Sequence, residues 1–354
     1  MQVGMHLIFQ NHMGHLDDGE HVRQELELGL MAEPLGFDSI WVVEHHFNNY
    51  SANPDPADTL CWLAGQTERI KLATGAFILP WNDPLRVAEK ISFLDHISGG
   101  RAILGVGRGL ARREYGGFGV DMGDSRELFD SSGEAILRAL ETGWYEGPGP
   151  FGPRDKVEIR PRPLAGFRDR LYSIGMSPDS AEQAGRLGAR LASFSQAPDE
   201  SWRDGPLDVY RATYRQHHDG EPPLPMIVDL MYCGPSGSET EELGRKHLAE
   251  YYVSVVNHYE IMNEHFKDLK GYETYGSAVD FLNDMGLDAQ IEAYTSLQAW
   301  GTPDQIIDRV QRRRETVGDY EQAVICRYGS MTFDQVKAST SLFADEVLPA
   351  LATF

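Results

Sequence analysis

The chain has 354 residues and an acidic composition, with 54 Asp and Glu against 32 Lys and Arg and a formal net charge of −22. A negative field of this size repels phosphate backbones and anionic lipid, so we expect neither nucleic acid nor a membrane surface as a partner. The cysteines Cys61, Cys233 and Cys326 form no CxxC pair, and no run of about 18 apolar residues occurs. We therefore predict a cytoplasmic protein without a targeting or membrane segment.

The first 110 residues alternate strand and helix patterns. Strand patterns cover residues 3–10, 37–43, 70–79 and 101–106, and helical patterns cover residues 20–35, 56–67 and 85–97. Gly36 and the pair Gly99-Gly100 are natural ends for two of these helices, because glycine readily adopts the left-handed conformation that closes a helix. The short connections indicate repeated βα units.

The same rhythm resumes in the second half of the chain. A helix over residues 125–142 leads into a stretch rich in Gly and Pro, 143–163, for which we predict an irregular loop. Four more strand patterns cover residues 171–174, 189–194, 225–232 and 320–327, and a helix covers residues 178–187. Eight strands without a domain-like linker predict one α/β domain over residues 1–354, a (β/α)₈ TIM barrel rather than an open sheet.

The segment from about 236 to 300 is longer than one barrel crossover requires and is helical in pattern. We predict a helical insertion between strands 7 and 8, on the face where barrel active sites lie. His247, His258 and His265 would lie near one stripe of a continuous helix, with Tyr251 and Tyr252 on adjacent faces. That stripe is either a buried amphipathic face or a wall that contacts substrate.

The second strand ends in Glu44-His45-His46. Because neighbouring side chains of a strand point to opposite faces, Glu44 and His46 share one side and His45 projects to the other. A lone imidazole there is either a catalytic or substrate-facing group, a structural histidine or a metal ligand. Metal sites usually need three convergent ligands, so we predict none.

Other strand ends offer contacts for an anion and a planar ligand. Gly75, at the end of the third strand, would let a flat ligand approach the backbone, or else marks a bulge. Arg108 stands between two glycines, where its guanidinium can reach a phosphate or carboxylate, a surface salt bridge being the alternative. Leu110 replaces the third glycine of a dinucleotide fingerprint.

The fifth strand is followed by a helix that begins with a serine before a proline. Ser177 is at least an N-cap for this helix. The unpaired N–H groups, the helix dipole and the hydroxyls of Ser177 and Ser180 could also hold a phosphate. Arg108 and this helix start would then bind one phosphate from two sides.

Several stretches together resemble the bacterial luciferase-like, flavin-dependent monooxygenases. The resemblance rests on residues 35–47, 74–80, 105–110 and 118–122, and it continues through 300–303 and the closing helix 343–349. It implies a luciferase-type barrel, usually dimeric, that uses reduced FMN delivered by a separate flavin reductase. Oxygen would react with this flavin to give a peroxyflavin, which oxygenates an aldehyde, ketone, alkene or similar small organic molecule.

The resemblance also implies roles for particular residues. His45 matches the active-site histidine, with a predicted role in positioning or protonating groups of the peroxyflavin and the substrate. The implied cofactor contacts are Arg108, Met176, Ser177 and Ser180 at the phosphate, and Gly75, Ala76 and Gly107 at the flavin ring, with a cis peptide between Gly75 and Ala76. Gly107 replaces the reactive cysteine of the light-emitting subunit and Met176 its glutamate, so light emission is not expected.

Two further functions are compatible with the same pattern. One is a deazaflavin-dependent oxidoreductase that transfers hydride without oxygen, since that class shares the barrel. The other is a flavin-binding partner subunit without catalytic activity, against which the presence of both His45 and Arg108 argues.

Overall fold

The barrel is the main feature of the computed structural model, which describes residues 1–263, 266, 269, 272, 276, 279, 280 and 283–354. Within this part of the chain, the barrel strands are β1 (Val3–Leu7), β2 (Ser39–Val42), β3 (Lys71–Thr74), β4 (Ala102–Gly107), β5 (Leu171–Ile174), β6 (Arg190–Phe194), β7 (Met226–Leu230) and β8 (Glu321–Ile325). All are parallel, each pairs with the next, and β8 pairs with β1 to close the barrel. The predicted (β/α)₈ fold is confirmed.

Helices surround the barrel. They are α1 (Asp18–Ala32), α2 (Pro56–Ala64), α3 (Pro84–Ile97), α4 (Arg112–Phe118), α5 (Ser125–Thr142), α6 (Pro178–Leu187), α7 (Asp199–Trp202), α8 (Asp208–His217), α9 (Gly237–Tyr259), α10 (Leu287–Leu297), α11 (Pro303–Val317), α12 (Phe333–Leu342) and α13 (Leu348–Leu351), with π-helical turns at Arg203–Leu207 and Phe343–Val347. Helices α9 and α10 lie between β7 and β8, where the insertion was predicted. Among the described residues, no helix is long and apolar enough to cross a membrane.

Helix α6 shows why some boundaries could be predicted from the sequence. Its Ser177 N-cap accepts a hydrogen bond from the backbone N–H of Ser180 at 3.3 Å, and Pro178 fills the first helical position. Gly188 ends the helix in the left-handed region, with φ of +74°. Each signal is local, so the predicted and observed bounds agree.

One predicted loop is ordered instead. The strands Trp144–Gly147 and Arg154–Glu158 form an antiparallel hairpin inside the stretch 143–163. The Gly and Pro residues between the two strands lie in its turn, while the ring of Tyr145 is fully buried against the domain. The prediction of an irregular loop was wrong because a two-stranded ribbon needs only a few residues with a buried side chain.

Trp41 is a large buried side chain of the barrel strands and packs against the ring of Tyr172, with ring centroids 4.8 Å apart. Trp41 is 1% exposed. Atoms of its side chain would lie 2.8 Å from a Cβ at Gly4, 3.4 Å from one at Gly75 and 3.5 Å from one at Gly105. Only the distance at Gly4 is too short for a Cβ, so glycine at this position makes room for the indole. The indole donates a hydrogen bond to Ser39 Oγ at 2.9 Å.

The amino-terminal mouth of the barrel is closed by a polar network. Tyr172 and Arg190 both donate to the carboxylate of Glu321, each at 2.6 Å. Outside this network lies a cavity of about 450 Å³ lined mainly by charged and polar residues. The carboxyl ends of the strands lie at the opposite mouth, where barrel enzymes place their chemistry.

Candidate active site

A cavity of about 140 Å³ opens at the carboxyl ends of the strands. Residues at or just beyond the ends of the first six strands line it, and α9 covers it. The sequence-predicted site residues that line this cavity are His45, Gly75, Ala76, Gly107, Arg108, Met176, Ser180 and Tyr251. Ser177 lies one residue behind, where its hydroxyl caps α6 and contacts Ser180 Oγ at 3.1 Å.

His45 is bound to a buried carboxylate. Its Nδ1 lies 3.0 Å from Glu114 Oε1, and the same oxygen accepts the backbone N–H of His46 at 2.8 Å. Burial opposes the charged form of Glu114, but His45 and these hydrogen bonds hold the pKa of its carboxyl below the ordinary value. A carboxylate can only accept, so neutral His45 carries its proton on Nδ1 and presents Nε2 as a base.

His258 stands behind His45 on α9, with ring centroids 5.2 Å apart. Asn48 Oδ1 accepts the backbone N–H of Tyr50 at 2.9 Å, so its Nδ2 donates to His258 Nδ1, at 2.6 Å. His258 is then protonated on Nε2, which lies 3.9 Å from Glu114 Oε1. Burial, and next the proximity of His45, lowers the pKa of His258 to about 3. His258 is therefore the neutral member of the group around Glu114.

The three side chains also have the donor set of a metal site. Ligand atoms of His45, Glu114 and His258 lie within 4.8 Å of one another. His45 Nδ1 already donates to Glu114 at 3.0 Å, whereas His258 Nε2, 3.9 Å from the same carboxylate, is buried without a hydrogen-bond partner among the described residues. The absence of a metal stays a prediction.

Glu44 has a structural role just beyond the end of β2. Its buried carboxylate accepts hydrogen bonds from Trp81 Nε1 at 2.6 Å, Asn82 Nδ2 at 2.8 Å, the backbone N–H of Ile78 at 3.0 Å and His46 Nε2 at 3.3 Å. Glu44 and His46 are in contact, as the predicted alternation requires, but β2 ends at Val42 and Glu44 lines the same cavity as His45. Glu44 anchors the segment after β3, which forms one wall of the cavity.

One end of the cavity is built for an anion. Arg108 is 9% exposed, and its guanidinium lies 3.9 Å from the ring centre of Tyr272. Arg126 lies behind the cavity lining, where it donates to Gln183 at 2.9 Å while its Nη2 is buried without a hydrogen-bond partner among the described residues. Burial, and next repulsion by Arg108, lowers the pKa of Arg126. A phosphate near both guanidiniums and Ser180 would relieve that repulsion.

The other end has room for a planar ring. The peptide bond between Gly75 and Ala76 is cis, as the resemblance implies. A Cβ on Gly107 would lie 3.1 Å from Ile78 Cδ1 and 3.5 Å from Ala76 Cβ, so the space beside Ala76 depends on glycine at this position. The residues present therefore fit FMN, with a phosphate at one end and a flat ring at the other.

Aromatic residues form the wall near His45. Tyr50 stacks on His258 with ring centroids 4.2 Å apart and contacts Tyr251 through their hydroxyls at 3.0 Å. Tyr259 places its hydroxyl 3.4 Å from His45 Nε2. By contrast, His247 lies outside the cavity lining, where it contacts Glu250 at 3.3 Å. Residue 265, the last histidine of the predicted stripe, lies outside the described residues.

Sequence reasoning missed several members of this site. Glu114, Asn48, Tyr50, Tyr259 and Arg126 gave no motif. For Glu114, the available signal was a carboxylate in the first turn of a helix that directly follows β4. The helix itself was not predicted, because Gly116-Gly117 lowers its helix propensity.

The structure is thus a parallel barrel with a base, buried cations and space for a flat ring at its carboxyl mouth. The family model described as luciferase-like monooxygenase matches residues 1–320. This chain belongs to the luciferase-like monooxygenase family. It is 26% identical over 340 residues to the alkanal monooxygenase alpha chain of Photorhabdus laumondii subsp. laumondii, covering 94% of this chain and 93% of that protein.

Solved structures are consistent with this family assignment. Monooxygenase RslO1 from Streptomyces bottropensis superimposes with a TM-score of 0.83 and 25% identity over 99% of this chain and all of the other. The oxygenating constituent of 3,6-diketocamphane monooxygenase from Pseudomonas putida, solved with FMN, gives a TM-score of 0.74 at 19% identity, covering 99% and 98% of the two chains. The second likeness shows the fold alone.

Proposed function

We propose that this protein is a monooxygenase that uses reduced FMN and O₂ to oxygenate a small organic substrate. The observation that carries the proposal is one cavity with His45 and Glu114 at one end and Arg108 at the other, joined by the Gly75-Ala76 and Gly107 surface. Family membership and the monooxygenase relatives support it. When bound, reduced FMN would supply two electrons to activate O₂.

The chain's own residues would divide the remaining work. Arg108, Arg126 and Ser180 bind the phosphate and fix the position of the ring. Gly75, Ala76 and Gly107 let that ring approach the backbone. His45 accepts or returns a proton at Nε2, and Glu114 stabilises the imidazolium that forms. The aromatic wall excludes water.

The proposal includes a separate flavin reductase and a homodimer. Two observations support the homodimer. One is the family resemblance, and the other is the exposure of Trp62, Phe93 and Ile97 on the neighbouring helices α2 and α3. Sedimentation of the wild type and of Phe93→Glu tests this part: a dimer that the charge dissociates is expected. A wild-type monomer at micromolar concentration would refute it.

Incorporation of an oxygen atom from O₂ into the product distinguishes the proposal from the deazaflavin alternative. The purified protein, reduced FMN and a panel of aldehydes, ketones, alkenes and phenols are mixed with ¹⁸O₂, and the products are analysed by mass spectrometry. One ¹⁸O atom in a product is expected. Oxygen-independent turnover with a reduced deazaflavin, and none with reduced FMN, would overturn the proposal.

A further inference from the structure

The protonation pattern around His45 limits what the substrate can be. Glu114 accepts from Nδ1 at 3.0 Å, so the ring presents its lone pair at Nε2, on the cavity side. Tyr259 Oη lies 3.4 Å from Nε2, well beyond the roughly 2.7–2.8 Å of a strong hydroxyl hydrogen bond. This base can therefore accept a shorter hydrogen bond from a substrate.

Among the described residues, the titratable groups near His45 include one carboxylate and several neutral groups. Glu114 of α4 is anionic, His258 of α9 and His6 of β1 are neutral because burial lowers the pKa of each to about 3, and burial raises the pKa of Tyr50. A proton placed on Nε2 thus forms an imidazolium next to a buried carboxylate. Carboxylate–histidine pairs of this kind abstract protons from hydroxyl groups.

The walls select an aromatic molecule. Tyr50, Tyr251 and Tyr259 line the cavity from one side, and Phe194 lines it from another. Offset and edge-to-face packing makes such a wall more favourable for a flat ring than for an alkyl chain. Among the described lining residues, Arg108 is the one permanent cation, and it lies at the phosphate end. A substrate that is already an anion therefore has no second counter-ion near His45.

We propose that the substrate is a phenol or a related fused aromatic that enters in its neutral form. Its hydroxyl donates to His45 Nε2 and gives up its proton there, and its ring packs against the tyrosine wall. This inference rests on the proposed function. The hydroxyl proton moves to Nε2, and the phenolate pushes electron density into the ring. One oxygen atom of O₂ then forms a bond to a ring carbon, whose hydrogen leaves as a proton. The second oxygen atom leaves as water, and reduced FMN supplies the two electrons.

Binding of 2-naphthol tests the inference without requiring turnover. The protein with oxidised FMN is titrated at neutral pH, where free naphthol is protonated, with 2-naphthol and with its ether 2-methoxynaphthalene. We expect a naphtholate absorption band on binding and about ten- to hundredfold weaker binding of the ether, which cannot donate to His45. Equal affinities with no naphtholate band would overturn the substrate class.

Two matched variants locate the effect. Glu114→Gln keeps the size of the side chain and removes its charge, so naphthol should still bind but the naphtholate band should disappear. His217→Asn changes an exposed histidine on α8 and should leave both signals unchanged. A naphtholate band that persists in both Glu114→Gln and His45→Asn would remove these residues from the proposal.

The outcomes separate the two proposals. Oxygenation of decanal with no discrimination between naphthol and its ether would overturn the phenol class and leave the monooxygenase standing. Naphtholate binding without any oxygen-dependent product would support the binding mode and count against the monooxygenase.

Discussion

His45 and Glu114 come from different elements, the end of β2 and helix α4, yet Nδ1 and Oε1 meet at 3.0 Å. The carboxylate oxygen is held in place by the backbone N–H of His46 at 2.8 Å. Loop and helix are therefore fixed to each other through the group that orients the base. The tautomer of His45 follows from this contact rather than from anything in its own strand.

Replacing Glu114 should impair proton transfer while the fold is retained. We expect Glu114→Gln to lower kcat by about 100-fold, the lower end of what general acid–base catalysis contributes, and His45→Ala to lower it further. Stopped-flow kinetics with reduced FMN and a turned-over substrate measure both. The exposed His217→Asn serves as the control, and wild-type kcat in Glu114→Gln would exclude the pair from the chemistry.

Removing either guanidinium at the anion site should weaken FMN much more than riboflavin. Arg108→Ala and Arg126→Ala each delete a cation near the proposed phosphate, and a charge-assisted hydrogen bond contributes about 1.5–3 kcal/mol. Fluorescence titration with both flavins measures the difference, with the exposed Arg186→Ala on α6 as the matched control. Equal losses for FMN and riboflavin would mean that these residues do not bind the phosphate.

Glu44 should be required for stability more than for proton transfer. In Glu44→Ala, the indole N–H of Trp81, the amide of Asn82 and the backbone N–H of Ile78 lose a buried acceptor. Each buried unsatisfied group costs about 1–3 kcal/mol, so we expect a loss of about 3 kcal/mol or more in the free energy of unfolding. Urea denaturation, with the exposed Glu241→Ala as control, tests this, and a loss below about 1 kcal/mol would contradict it.

Acid should destabilise the protein through its buried neutral histidines. Burial lowers the pKa of His6 from 6.5 to about 3. Below pH 6.5, His6 is therefore protonated in the unfolded chain but stays neutral in the folded chain. Stability is then lost as pH falls between these two values, with a slope of about 1.4 kcal/mol per pH unit for one group. His6→Leu should show a shallower slope than the wild type or His217→Asn in urea unfolding between pH 6 and 5. Parallel slopes would show that His6 does not titrate as described.

The parts of the molecule that sequence patterns could predict are those with local causes. The bounds of α5, α6 and β5 follow from caps, glycine stops and apolar runs, and the strand ends converge because a parallel barrel brings them together. Helix α4 and its Glu114 depend on packing between distant segments, which overrides the weak propensity of Gly116-Gly117. His247 and His258 share a helix, but only the three-dimensional path of α9 decides that His258 alone meets His45.

Trp41 marks a difference between the two cavities of the barrel. Its buried indole packs beside Gly4 and lines the cavity at the amino-terminal mouth, but it does not line the cavity that holds His45. In the proposed reaction, flavin, oxygen, substrate and product would use the carboxyl-side entrance under α9. A shared entrance would impose an order of binding and release on the catalytic cycle. A product bound in the entrance would block the next flavin, so product release could limit kcat even when the chemical step is fast.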